Sequence, residues 1–287
     1  MNFYLTALLL GLAYGLLAYG IYISMRIFNI PDITTDGSFT LGGAVTAVLT
    51  LHAMNPGLIL PVVFLTGAAA GIATGWIHTR LHVNALLAGI LVTTGLYSIN
   101  LAVMERSNLP LINTPSIFSL ATFSQEEKLN QLIILSAITF GILMLLRFLL
   151  RTDFGLAMRA TGNNETMIRA LGINTGRMKI IGLGLANGLT ALSGYLITYV
   201  QGYADINMGI GIVILGLGAV MIGEMISGIL RLNHVGGQLL CVVLGSLLFR
   251  LILGFTLSIG IDPIYLKLVV AVFVLITVSL PQLKRAA

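Results

Sequence analysis

The sequence predicts an all-α integral membrane protein, a single transmembrane domain over residues 1–287 built as a polytopic bundle of about nine transmembrane helices. Three observations carry this. Of 287 residues 57% are hydrophobic and only 9% charged, far below the roughly 25% charge of an ordinary soluble domain. Several stretches, Val83 to Met104 among them, are long enough to cross a bilayer and hold no charge. The basic residues behind the net charge of +5 fall between apolar runs, the pattern of cytoplasmic loop signals and not of a nucleic-acid surface.

The expected spans lie near 3–25, 37–54, 59–79, 83–104, 130–150, 180–201, 208–228, 237–256 and 264–280. A re-entrant segment would change the count to eight or ten. The first run has no Lys or Arg before Arg26 and exceeds a signal-peptide core of 7–15 residues, so it reads as a retained helix. Asn55-Pro56-Gly57 and Asp262-Pro263 mark turns. The connection 151–179 holds Arg151, Arg159, Arg169, Arg177 and Lys179 against Asp153 and Glu165, and is expected in the cytoplasm. Counting outward puts Arg26, Arg80, Arg231, Lys284 and Arg285 inside. It puts loop 105–129 and the N-terminus outside, with the C-terminus cytoplasmic.

Glycine, at 33 residues, clusters within spans, as in the every-fourth series Gly67, Gly71 and Gly75. Small residues let membrane helices approach backbone to backbone. Two Gly-interrupted segments resemble each other, Pro31–Val45 and Ala204–Val220; both begin Asp-Ile and end Gly-Ala-Val. Such segments in opposite halves suggest inverted repeats around a midplane path. Candidate pathway residues are therefore Asp36, Gly37, Ser38, Thr40, Gly42 and Gly43 in the first, and Asp205, Gly209, Gly211 and Gly216 in the second. Asp36 also suits the N-cap of span two, the plainer role. Glu224 and Arg250 are the charges set deepest in apolar sequence; they sit at different depths and are not expected to pair.

Within the cytoplasmic connection a short helix is expected from Glu165 to Leu171. Asn163 or Asn164 caps it, Glu165 suits its positive end, and Gly172 closes it. Met167, Ile168 and Leu171 fall on one face by spacing. A helix this short is marginal alone in water, so its apolar face needs either a lipid headgroup layer or another protein.

The stretch Gly155, Arg159-Ala160, Asn163/Asn164, Glu165, Met167, Ile168, Arg169 and Ala170-Leu171-Gly172-Ile173 closely resembles the coupling loop of ABC importer permeases of the branched-chain amino acid and ribose type. Its Ala170-Leu171-Gly172 is one residue shorter than the usual spacing. The opening stretch from Gly11 to Val45 resembles the same family, with Thr35-Asp36-Gly37-Ser38 closest to its uncharacterised amino-acid branch, aromatic or branched-chain. The resemblance extends over about residues 11–280. It implies a permease subunit in the bacterial inner membrane, working as a homodimer with two ATPase subunits and an extracytoplasmic substrate-binding protein. It implies no cofactor in this chain, ATP and Mg being bound by the partner ATPase, and a small solute, an amino acid, as cargo.

No G-x-x-x-x-G-K-[ST] loop, H-E-x-x-H or G-x-S-x-G occurs. His52, His78, His82 and His234 lack ligand spacing, so no metal site is expected, and lone Cys241 reads as a packed core residue. The alternative is a secondary transporter driven by an ion gradient, with Asp36 and Glu224 as ion carriers.

Overall fold

In hydrocarbon the backbone must satisfy its own N–H and C=O groups, so each apolar run closes into a helix. The protein is seen in a computed structural model that describes residues 2–112, 114–232, 234–260 and 262–286. Its helices are α1 (Asn2–Ile21), α2 (Thr34–Leu51), α3 (Pro56–Arg80), α4 (Ala85–Met104), α5 (Glu127–Arg151), α6 (Asp153–Asn163), α7 (Glu165–Ala170), α8 (Thr175–Gln201), α9 (Ile212–Ile229), α10 (Val235–Ser258) and α11 (Leu266–Ala286). A π-helical turn, Tyr22–Ile27, prolongs α1.

Seven helices among the described residues are long and apolar enough to cross a membrane: α1 with its π turn, α3, α4, α5, α8, α9 and α10. The other two expected spans are helical as well. In α2 the apolar run is diluted by Asp36 and a set of threonines. In α11 the described apolar stretch is Leu266–Thr277, and the side chains of Lys284 and Arg285 lie outside the described residues.

Three details differ from expectation. Residues 208–211, assigned to span seven, form a turn before α9. Span two begins earlier, at Thr34. And the chain is not purely helical: β1 (Asn108–Pro110) pairs antiparallel with β2 (Tyr203–Asp205), Leu109 opposite Ala204. The ribbon ties the α4–α5 connection to the end of α8. Behind it Asn130 fastens the rest of that connection, its Nδ2 donating to Phe118 O and Ala121 O and its Oδ1 accepting from Phe123 N at 2.8 Å.

The central helices, α1 and α8, are buried over most of their length. They run antiparallel. α8 leads from α7 to the ribbon, while α1 starts near Lys128 at the head of α5 and ends on α6. α2 and α3 pack on α8, and α9 and α10 pack on α1; α4 rests on α2 and α3, and α11 on α9 and α10. The α3–α8 joint is closed through glycine. Gly67, Gly71 and Gly75 lie against Ala191, Leu183 and Ile180, and a methyl at Gly75 would stand 2.8 Å from the Ile180 Cα.

Candidate functional site

The α6–α7 hairpin sits at the end of the bundle opposite the ribbon. Thr152 caps α6 and Asn164 caps α7, its Oδ1 accepting from Met167 N at 3.0 Å. Gly172, at φ +85°, takes the left-handed conformation that ends α7. Glu165 pins the first turn: Lys179 Nζ lies 2.5 Å and an Arg169 guanidinium nitrogen 2.8 Å from its carboxylate, and Thr175 Oγ1 donates to it at 3.0 Å. These donors, Lys179 first, hold its carboxyl below its ordinary value of 4.5.

One expectation needs correction here. Met167, Ile168 and Leu171 do not share one fate: Ile168 is 6% exposed, while Met167 and Leu171 are 59% and 66% exposed. Adjacent residues on a helix point about 100° apart, so Ile168 anchors the helix inward and the other two are presented outward. Asn163, Ala170 and Gly172 are exposed, and Ala160 and Ile173 half-buried.

Arg159 on α6 points back toward the bundle, its Nε buried without a hydrogen-bond partner. α6 in turn grips the π turn. Gly162 packs directly on the Ile27 backbone, and Asn29 Nδ2 donates to Gly162 O at 3.1 Å. A π turn of this kind is rare and recurs at functional positions. Here it presents Arg26, whose Nε lies 2.6 Å from Glu224 Oε1 on α9. Glu224 thus pairs with Arg26 and not with Arg250, whose guanidinium lies 3.7 Å above the Tyr14 ring.

These contacts belong to one seam. Along α1 and its π turn, Tyr14, Ala18, Tyr22 and Arg26 follow at four-residue intervals; on α10, so do Gln238, Val242, Ser246 and Arg250. Residues four apart stack along one helix face, so the rows face each other antiparallel. Tyr22 Oη donates to Gln238 Oε1 at 2.7 Å, Ser246 Oγ donates to Gly11 O at 2.9 Å, and Arg250 caps Tyr14.

Cavities follow the seam. Beside the π turn, one of about 360 Å³ is lined by Tyr22, Arg26, Glu224 and Gln238. A small cavity of about 10 Å³ lies between Tyr14, Gly216 and Arg250. By the ribbon, one of about 430 Å³ has Tyr14 and Phe39 inside it and Asn108, Gln201 and Asp205 among its lining. The Tyr14 and Phe39 rings stack at 5.8 Å between centroids.

The two Gly-interrupted segments do meet. Asp36 is the third residue of α2, not its cap. Its carboxylate instead reaches the head of α9, accepting from Gly211 N at 2.9 Å and Val213 N at 3.0 Å. Unpaired N–H groups at a helix start carry partial positive charge, so a carboxylate there is favourable. Gly209 fits against Asp36 O and Thr40 Oγ1, Gly43 against Met208 Sδ, Gly42 against the Ala191 carbonyl, and Gly37 against Leu96. Of the expected pathway residues, Asp205 and Gly216 line cavities; the others named here are engaged in packing.

The sequence reading missed a buried polar cluster beside this joint. Asp32, 1% exposed, accepts from Thr34 N at 2.9 Å and from Asn187 Nδ2 at 2.6 Å, and Ser38 Oγ donates to Asn187 Oδ1 at 2.7 Å. Asn187 in the middle of an apolar span was the available signal. Among the described residues no group of three or more His, Cys, Asp or Glu is placed to hold a metal.

The family model for the permease component of branched-chain amino acid transport systems matches residues 3–279. A tyrosine transport system permease protein of Clostridioides difficile is 34% identical over 265 residues, covering 92% of this chain and 86% of that one. An uncharacterised protein of Rickettsia prowazekii is 36% identical over 281 residues, covering 97% and 98%. A ribose import permease protein of Haemophilus influenzae is 24% identical over 243 residues, covering 84% and 72%. No solved structure matches the chain.

Proposed function

This chain belongs to the family of permease components of branched-chain amino acid transport systems, and from that premise we propose how it works as the membrane-spanning permease subunit of an ABC importer. It is a multi-pass protein of the inner membrane. In our reading nine helices cross the bilayer, the N-terminus and the ribbon lie outside, and α7 and the C-terminus lie in the cytoplasm. The basic residues around α7 support that orientation.

The single observation that carries the coupling assignment is the division of α7. One side is fixed to the bundle by Glu165 and Ile168, and the other presents Met167 and Leu171 to the outside. An exposed apolar pair on a rigidly seated helix fits a groove on a cytoplasmic ATPase, which binds ATP and Mg. Two such ATPases act on two copies of this chain, and an extracytoplasmic binding protein delivers the solute at the ribbon end. The tyrosine permease relative supports an amino acid as the solute.

The pathway follows the α1–α9–α10 seam, from Asp205 past Gly216 to Glu224. Its open side is completed by the second copy of the permease. Rigid contacts connect the ATPase to the pathway: α7 is joined to α6, Gly162 of α6 holds the π turn, and the π turn carries Arg26 to Glu224. Docking that differs between ATPase states then shifts the seam between two arrangements. Asp36, Gly209 and Gly211 form the joint at which α2 holds the head of α9. The arrangement of α1, α2, α3 and α4 relative to α8 resembles that of α8, α9, α10 and α11 relative to α1, which supports an inverted repeat.

The test is reconstitution. Vesicles holding this chain, its ATPase and its binding protein should accumulate labelled L-tyrosine or L-leucine only with hydrolysable ATP. Uptake that collapses with an uncoupler yet proceeds without ATP would establish an ion-driven carrier and overturn the reading.

A further inference from the structure

Arg250 is an anomaly in the seam. It sits within a membrane-spanning helix, half-buried, and among the described residues no carboxylate lies within ion-pairing distance of it. The other deep charge, Glu224, has Arg26. A cation withdrawn from water without an anion is costly, and an ionisable residue at such depth normally faces a partner or a wet cavity. The Tyr14 ring, 3.7 Å beneath the guanidinium, offsets part of that cost. A ring face leaves the N–H fork unsatisfied, and the fork is shaped to receive a carboxylate.

The surroundings narrow what that anion is. Arg250 lies on the wall of an apolar cavity of about 260 Å³ that includes Ala7, Leu10, Leu253 and Leu257. On its other side is the small cavity shared with Tyr14 and Gly216. Tyr14 also borders the ribbon-end cavity of about 430 Å³, a size that admits an amino acid with a large side chain. There Phe39 stacks with Tyr14, and Asp205 supplies a negative group for an ammonium.

We propose that Arg250, seated on Tyr14, receives the carboxylate of the transported amino acid. This rests on the seam being the pathway and adds the residue that reads the cargo. With no carboxylate among the described residues beside it, the Arg250 fork is open to a passing one.

The experiment uses the complete importer, permease with ATPase and binding protein, in vesicles, in a C241A background. ATP-driven uptake of labelled L-tyrosine and L-leucine is measured for the parent, R250K, R250Q and R250C. R250Q and R250C should lose uptake about ten-fold or more, the worth of one charge-assisted contact, with ATPase association and melting temperature unchanged. R250K should keep an intermediate rate. Treating R250C with a thiol reagent that adds an aminoethyl group should restore uptake, and one that adds an ethylsulfonate should not.

Uptake by R250Q equal to the parent overturns the proposal. So does recovery of R250C with either reagent alike, which would mark Arg250 as filler. So does a defect of R250Q confined to vesicles containing anionic lipid, which would assign the guanidinium to a headgroup. Parent vesicles that take up neither amino acid under ATP sink the pathway reading itself, and the proposal with it.

Discussion

Two helix joints at the centre of this protein are built on opposite plans. Where α3 meets α8, glycine every fourth residue lets the backbones touch, and Gly67, Gly71 and Gly75 find no space for a side chain. Where α1 meets α10, the four-residue rows carry Tyr14, Tyr22, Arg26, Gln238, Ser246 and Arg250, and cavities open along them. Lipid gives helices no hydrophobic reason to associate, so close packing is what holds the first joint. The second also packs closely at Gly11, against Leu247, but adds polar contacts that water can replace. In the proposed mechanism the first joint is the fixed frame and the second is the one that opens.

The largest effect should come from breaking the frame. Gly71→Leu drives a side chain into the Leu183 carbonyl and the Asn187 side chain, and overpacking of this kind costs about 3 kcal/mol or more. Little monodisperse protein should survive detergent extraction, as size-exclusion chromatography will report. Tyr22→Phe, on the seam, removes the bond to Gln238 and should cost about 1 kcal/mol. A thermal melt that ranks the two substitutions the other way would break the comparison.

Next comes the drive. Replacing Met167 and Leu171 together with Asp should abolish copurification of the ATPase while leaving the stability within about 0.5 kcal/mol of wild type, because both side chains are exposed. Wild-type copurification and transport by that double variant would remove α7 from the mechanism. Asp36→Ala takes the anionic partner from Gly211 N and Val213 N. It should destabilise by about 2 kcal/mol, and hydrogen exchange at the head of α9 should rise ahead of the rest of the chain.

The smallest effect is at Glu165. Its folded value is depressed, so its contribution is present above the ordinary carboxylate value and disappears as pH falls through the lower, folded one. Its ion pairs are partly exposed, and exposed pairs contribute about 0–1 kcal/mol. Stability of wild type and Glu165→Gln should differ slightly at neutral pH and converge on acidification.

The frame was legible in the sequence, and the seam was not. Glycine spacing, charge-poor runs and the Asn55-Pro56 turn are local signals, and the nine segments they mark are helical. The α7 helix, its Asn164 cap and Gly172 were equally local. The pairing of Arg26 with Glu224 and the reach of Asp36 to α9 depend on which helices become neighbours, with a sequence separation of 198 for the first pair and 175 from Asp36 to Gly211. The Met167–Ile168–Leu171 face failed because a seven-residue window cannot say which side the bundle covers. The rows on α1 and α10 were visible as four-residue spacing, but only the antiparallel pairing gives them meaning.

The most direct measurement compares water access along the seam and on the packed α2–α3 face of the frame, where Ala70 lies beside Leu41 and Thr74 Oγ1 lies 2.6 Å from Thr34 Oγ1. Single cysteines at Glu224 and Gln238, and at Ala70 and Thr74 of α3, can be placed in a chain whose Cys241 is alanine. A membrane-impermeant thiol reagent is then applied to the assembled importer with and without ATP. The account predicts labelling at positions 224 and 238 that changes with ATP, and none at positions 70 and 74 in either state. Equal labelling at the seam and α3 positions, or labelling at the α3 positions alone, would contradict it.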